Sequence, residues 1–315
     1  MNAPKVINLA YVRLRSPDLD VAEEFLTNFG MVKVERTSSK LYMRGTDGSP
    51  YLHVTELGEP NVCGFAFQVA SEAQLEVFAQ SRGNLPIEKL DAPGGGKRVR
   101  LTDPLGFEIE VVAGIEAVEP LPVQPRALNL GNEGVKRAGK LQRIARQPSQ
   151  VKRIGHMVLT TPDHENTIRW YRENLGLLGS DDVWAGEPGN LIASFNRLDR
   201  GSEYVDHHVF MVTRGPQSGM NHISFEVQDF DDVMVGHEYL HATGKYHPYW
   251  GVGRHLLGSQ IFDYWSDPWG RAHEHWTDTD LLNENHEPDS LPVEIGFSSQ
   301  WGIEAPEEFI KLASR

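Results

Sequence analysis

The segment SDPWGRAHEHW, Ser266 to Trp276, has a counterpart much earlier in the chain, LTDPLGFEIEVV, Leu101 to Val112. Both carry D-P-x-G-x-x-x-E, pairing Asp103 with Asp267, Gly106 with Gly270 and Glu110 with Glu274. Physically this is a tight Pro/Gly turn that feeds a strand. Working outward from it, the flanks match as well. LAYVRLRSPDLDVAEEFLTNFGM (Leu9–Met31) parallels IGHMVLTTPDHENTIRWYRENLGL (Ile154–Leu177). Each reads as a strand, a Pro-Asp turn, an amphipathic helix and a glycine where the helix stops. GFAFQV (Gly64–Val69) parallels HISFEV (His222–Val227), each followed by a helix-like run. An internal repeat of this size means two similar halves, each holding two strand–helix–strand–strand–strand units.

This division is consistent with a 315-residue chain, whose length predicts two domains. The boundaries expected are residues 1–115, a connector over 116–150, a second domain over 151–280 and a tail or lid over 281–315. The connector is Pro-rich at its front and basic at its back (Lys136, Arg137, Lys140, Arg143, Arg146), a surface segment with room for a short helix. The tail ends in APEEFIKLASR, another candidate short helix. No apolar run approaches the roughly 20 residues of a membrane span. The opening MNAPKVINLAYVRL lacks the basic-then-apolar pattern of a secretory signal. The sole cysteine, Cys63, excludes an intrachain disulfide and points to a reducing cytoplasm. A net charge of −14 argues against nucleic acid as a partner.

The thirteen histidines lie mostly in the second half. Aligned on the repeat, Tyr11 stands opposite His156, Gly64 opposite His222 and Glu110 opposite Glu274. The fold therefore repeats and the histidines do not, which separates a chemical need from a structural one. Strand alternation puts His222, Ser224 and Glu226 on one face and Ile223, Phe225 and Val227 on the other. It also turns Glu274 away from His273 and His275. Two imidazoles and one carboxylate from three strands make a facial triad with open coordination positions, the ligand set of non-haem Fe(II). The separations, 66 and then 52 residues, match no local metal motif. Taken singly, each residue reads equally as ordinary strand polarity.

The stretch Gly253-Arg254-His255, Tyr264, Asp267-Pro268-Trp269-Gly270, Glu274 resembles the signature of the extradiol ring-cleaving dioxygenases of the vicinal oxygen chelate superfamily. The likeness extends over about residues 5–280. It implies an α+β fold of two domains, each of two βαββ modules whose strands curl into an open barrel-like sheet, with only the C-terminal domain catalytic. It implies His156, His222 and Glu274 as ligands of Fe(II), or of Mn(II) in its place, with O2 as co-substrate. It implies His207 as acid–base, chosen over its neighbour His208, and His255 and Tyr264 as hydrogen-bonding partners of the substrate oxygens. Asp263 departs from the family pattern, which is apolar or aromatic there, and is expected to bear on substrate choice. The implied partner is a small aromatic diol or triol, a substituted catechol or trihydroxybenzene. The chain is then expected to be a homo-oligomer, a tetramer, with no nucleic acid or membrane partner. Trp184, Phe195 and His247–Trp250 are candidate pocket aromatics, and Arg254 and Arg271 are candidate carboxylate binders. Two other classes share the fold: metal-dependent isomerases or lyases of the glyoxalase kind, and non-catalytic binding modules.

Overall fold

The structure, a computed structural model, describes residues 4–123 and 126–314. The first half runs β1 (Asn8–Ser16), α1 (Leu19–Asn28), β2 (Val32–Arg36), β3 (Lys40–Arg44) and β4 (His53–Leu57), then β5 (Asn61–Gln68), α2 (Glu72–Ser81), β6 (Glu88–Lys89), β7 (Lys97–Thr102) and β8 (Glu108–Ala113). The second runs β9 (Val151–Thr161), α3 (His164–Leu175), β10 (Leu178–Trp184), β11 (Leu191–Arg197), β12 (Val205–Asp206) and β13 (Phe210–Arg214), then β14 (Gly219–Val227), α4 (Phe230–Thr243), β15 (Pro248–His255), β16 (Ile261–Ser266) and β17 (Ala272–Thr277). After these come β18 (Leu281–Leu282), β19 (Asp289–Pro292), α5 (Val293–Gly296), β20 (Ser299–Trp301) and α6 (Glu307–Ile310).

The helices start where the Pro-Asp turns place a cap. Asp18 accepts from the backbone of Asp20 and Val21, and Asp163 accepts from Asn166, satisfying N–H groups that the first turn leaves free. α3 ends at Gly176 in the left-handed region (φ 74°), where a side chain would be strained. The two D-P-x-G turns are built alike. Asp103 Oδ1 accepts from Leu105 and Phe107 N, and Asp267 Oδ1 accepts from Trp269 and Arg271 N. Gly106 and Gly270 both take φ above 80°.

The sheets repeat the same topology. The first has the order β2-β3-β4-β1-β5-β8-β7-β6, the second β19-β10-β11-β13-β9-β14-β17-β16-β15-β20. In each, two parallel module edges meet at an antiparallel centre, β1 against β5 and β9 against β14. The register coincides too. Arg13 pairs Gly64 and Ala66 pairs Glu110, while Val158 pairs His222 and Ser224 pairs Glu274. Outside this common plan, the final segment adds β19 and β20 to the two edges of the second sheet. No helix forms among the described residues between β8 and β9, so the connector's expected short helix is absent. The basic residues at its back are exposed, apart from half-buried Arg137, while Arg126 nearer its front pairs with Asp229 and Asp232 of the second half.

A single apolar core joins the halves, with Phe25, Phe29 and Phe65 packed in one cluster with Phe210, Phe225 and Trp265. Each such side chain contributes about 1.5–3 kcal/mol on burial. The turns then lock the halves reciprocally. Tyr171 of α3 donates to Asp103 Oδ2 at 2.9 Å. Arg271, held by Asp267, donates across to the Arg15 carbonyl and Ser16 Oγ, both at 2.8 Å.

Candidate metal centre and active site

Alternation along β14 sends Ile223, Phe225 and Val227 into the shared core and His222 to the opposite face. β17 does the same around Glu274. His273 and His275 turn toward the first half, His275 Nε2 donating to the Phe29 carbonyl at 2.6 Å. Glu274 is left facing His156 of β9 and His222. Its Oε2 lies 3.0 Å from His156 Nε2 and 3.5 Å from His222 Nε2, and the two Nε2 atoms are 3.4 Å apart. All three side chains are buried.

The donor set suits a divalent cation. Among the described residues, no hydrogen bond of ordinary geometry reaches either oxygen of Glu274. Burial pushes the imidazoles of His156 and His222 down to about 3, so both are neutral near pH 7 and carry a free lone pair. His222 Nδ1–H donates to Asn221 Oδ1 at 2.7 Å, which leaves Nε2 as the lone-pair nitrogen aimed at the cluster. Asn221 is itself oriented by donating through Nδ2 to the Phe309 carbonyl. Three side chains that can each offer an electron pair thus converge, with ligand atoms all within 4.8 Å of one another, an arrangement that a metal ion would stabilise.

The first half supplies the control. At the same place in the fold, Glu110 accepts from the Tyr11 hydroxyl and, through Oε1, from Arg13 and Arg98 at 2.8 Å each. There the protein supplies its own cations. In the second half it supplies imidazoles.

The cluster opens into a cavity of about 530 Å3. His255 and Tyr264 line it, His255 Nε2 standing 2.9 Å from the Tyr264 hydroxyl. Burial and the Glu274 carboxylate raise the Tyr264 pKa well above its ordinary value, so the phenol keeps its proton. Burial lowers His255 to about 4. Of the adjacent pair, His208 lines the cavity, its ring 4.1 Å from that of His156, and burial pushes its pKa well down. His207 points into the wall, with Nε2 2.7 Å from Asp181 Oδ2 and the Gly258 backbone packed against its ring. This orientation moves the acid–base expectation from His207 to His208.

Other sequence expectations divide in the same way. Phe195 and Trp250 line the cavity; Trp184 and His247 do not. Asp263 faces the other side of β16, fully buried, accepting from His237 Nδ1 at 2.9 Å and Trp265 Nε1 at 2.6 Å. It fastens α4 to the sheet and does not reach the substrate space. Arg254 pairs with Asp278 and Arg271 with Asp267, so neither is offered to a substrate carboxylate. Sequence reasoning passed over Asn221 and Asp181, although Asn221 adjoins a candidate ligand in NHISFEV; the final segment, expected as a tail or lid with a short helix, forms α6 within APEEFIKLASR and borders the cavity. From that segment Phe297, Phe309 and Ile310 line the cavity, Phe309 lying 4.5 Å from the Tyr264 ring.

No protein-family model matches the chain. It is similar to metapyrocatechase 2 of Cupriavidus necator, 29% identical over 97% of this chain and 92% of that protein. It is also similar to an iron-dependent extradiol dioxygenase of Rhodococcus jostii, 24% identical over 72% of this chain and 74% of that protein. Among solved structures, homoprotocatechuate 2,3-dioxygenase from Brevibacterium fuscum with 3,4-dihydroxyphenylacetate superposes with a TM-score of 0.80, at 20% identity over 99% of this chain and 93% of that one. The Mn(II)-bound glyoxalase from Novosphingobium aromaticivorans gives 0.77, at 21% identity over 97% and 94%.

Proposed function

We propose that this chain, an extradiol ring-cleaving dioxygenase of the vicinal oxygen chelate superfamily, opens a substituted catechol or trihydroxybenzene beside its diol at an iron held by His156, His222 and Glu274. The observation that carries the ligand assignment is the buried Glu274 carboxylate, faced by the two imidazoles of His156 and His222 where its repeat partner Glu110 holds two arginines. Bound there, Fe(II), or Mn(II) in its place, supplies adjacent positions for the diol and O2 and takes up negative charge.

The protein's own groups then do the rest. His208, buried and neutral, takes a substrate hydroxyl proton at its cavity-facing nitrogen and later returns it to a departing oxygen. Tyr264 keeps its proton and donates it as a hydrogen bond, and its bond with His255 fixes the direction of both groups. Val158, Ile192, Phe195, Met211 and Val293 form an apolar wall that shields the ring from water. Glu294 and Glu304 also line the cavity, and Arg214, the one arginine in the lining, donates to Asn190 Oδ1 at 2.7 Å, so the substituent favoured is uncharged and apolar. The first half (1–115) carries no chemistry and supports the second, and the chain assembles as a homo-oligomer, a tetramer, in the cytoplasm.

The test is anaerobic purification, metal content by mass spectrometry, then a panel of catechols and trihydroxybenzenes mixed with air. The expected result is iron near one per chain and a yellow ring-opened product. Bound metal with no ring opening across the panel would replace this reading with an isomerase or lyase of the glyoxalase kind.

A further inference from the structure

Asp181 sits on β10 and His207 just after β12, and neither reaches the cavity. Both are buried, and they lie in line behind His208. Asp181 Oδ2 is 2.7 Å from His207 Nε2, and His207 Nδ1 is 3.1 Å from His208 Nδ1. The far oxygen of Asp181 accepts from Asp289 N of β19 at 3.0 Å, so the final segment helps to orient the carboxylate. The His207 backbone N–H donates to the Asp280 carbonyl at 2.9 Å.

We infer that Asp181 and His207 are positioning residues that set the tautomer of His208, so that its cavity-facing Nε2 carries a lone pair before substrate arrives. The inference rests on the acid–base role given to His208 above. A carboxylate only accepts, so the short contact to Asp181 puts the His207 proton on Nε2. A neutral His207 then has a bare Nδ1, which only accepts. His208 must donate to it through Nδ1–H, and Nε2 of His208 is left unprotonated. When that nitrogen takes the substrate proton, the positive charge it gains is met by a hydrogen-bonded chain ending in a carboxylate. No proton has to leave the three side chains. The same logic orients the histidine of a Ser-His-Asp triad, although here a second imidazole is interposed.

Neutron diffraction from the iron-loaded, substrate-free protein reads the tautomers directly and needs neither a variant nor turnover. Deuterium on His207 Nε2 and His208 Nδ1, with none on His208 Nε2, is the expected result. Deuterium on His208 Nε2 overturns the inference. The companion experiment is Asp181→Asn. An amide that turns its N–H toward His207 reverses both hydrogen bonds and places a proton on His208 Nε2. Loss of the correct base predicts a fall in kcat of roughly 100- to 10,000-fold, with KM and iron content within about twofold of wild type. Asp181→Glu should restore part of the rate. A wild-type kcat in Asp181→Asn would overturn the inference. If Asp181→Asn loses its iron, the neutron result alone decides. Native protein that cleaves no catechol but shows the expected tautomers would sink the proposed function and leave the relay standing.

Discussion

Replacing Glu274 by Gln should have opposite effects on stability with and without metal. In the metal-free protein Glu274 is a fully buried carboxylate that accepts no hydrogen bond of ordinary geometry. An uncompensated buried charge costs several kcal/mol after relaxation. The Gln amide, which is neutral, costs about 1–3 kcal/mol where its groups go unpaired. The difference predicts a metal-free Glu274→Gln protein more stable by about 1–2 kcal/mol, an increase in Tm of roughly 1.5–3 °C for a chain of this length. Iron reverses the order. Wild type gains about 4 kcal/mol when free iron exceeds its Kd a thousandfold, while the variant, lacking a ligand, gains little. The repeat offers an internal control. Glu110 is paired with Arg13, Arg98 and Tyr11, so Glu110→Gln should lower stability by about 2–3 kcal/mol, reduced from the full cost of a broken buried pair because both arginines have other partners. Thermal unfolding of the three anaerobic proteins, with and without iron, decides the matter. A metal-free Glu274→Gln protein destabilised as much as Glu110→Gln would mean that Glu274 is structurally paired, and the metal assignment would fail.

Further outcomes follow from the same geometry. His208→Phe should keep its iron and lose roughly 100- to 10,000-fold in kcat; retention of full turnover would return the acid–base role to another group. Phe309→Ala should cost about 3 kcal/mol of stability and raise KM, because Phe309 packs on Tyr264 and its backbone orients Asn221; an unchanged KM would show that the final segment does not shape the site. Catechols with a carboxylated side chain should have at least tenfold lower kcat/KM than alkyl or aryl ones, and Glu304→Gln should narrow that gap; equal values would refute the apolar wall as the selector. Burial, with Arg214 nearby, holds His164 down at about 4, below the ordinary value of about 6.5. The unfolded chain therefore binds the extra proton between those values, so stability present above pH 6.5 is lost as pH falls toward 4. His164→Asn should flatten that part of the Tm-against-pH curve.

Much of this was legible in the sequence because a repeat carries its own reference. Asp103 and Asp267, Gly106 and Gly270, and Glu110 and Glu274 occupy equivalent places because the same turn and strand are built twice, and the β-sheet registers coincide. Period-two alternation separated Glu274 from His273 and His275, and His222 from Ile223. These are local rules, and a short stretch of chain contains everything they need.

What lay beyond the sequence depends on residues distant along the chain. His207 and His208 are adjacent, and nothing local says which one turns inward. Asp181 on β10 and the close approach of Gly258 decide it by holding His207 in the wall. Asp263 reads as a site residue from its place in the signature, but α4 brings His237 to it on the far face. The final segment could be read as a tail or a lid, and strand pairing with β10 and β15 makes it part of the cavity wall. The sequence by itself determined the repeated fold and the strand faces on which His222 and Glu274 lie, because these follow from the repeat and from alternation, while the resemblance named the third partner, His156. Only the tertiary structure decided which histidine lines the cavity, what holds its neighbour in the wall and which later segment borders the cavity. Those are fixed by contacts between segments that no period connects.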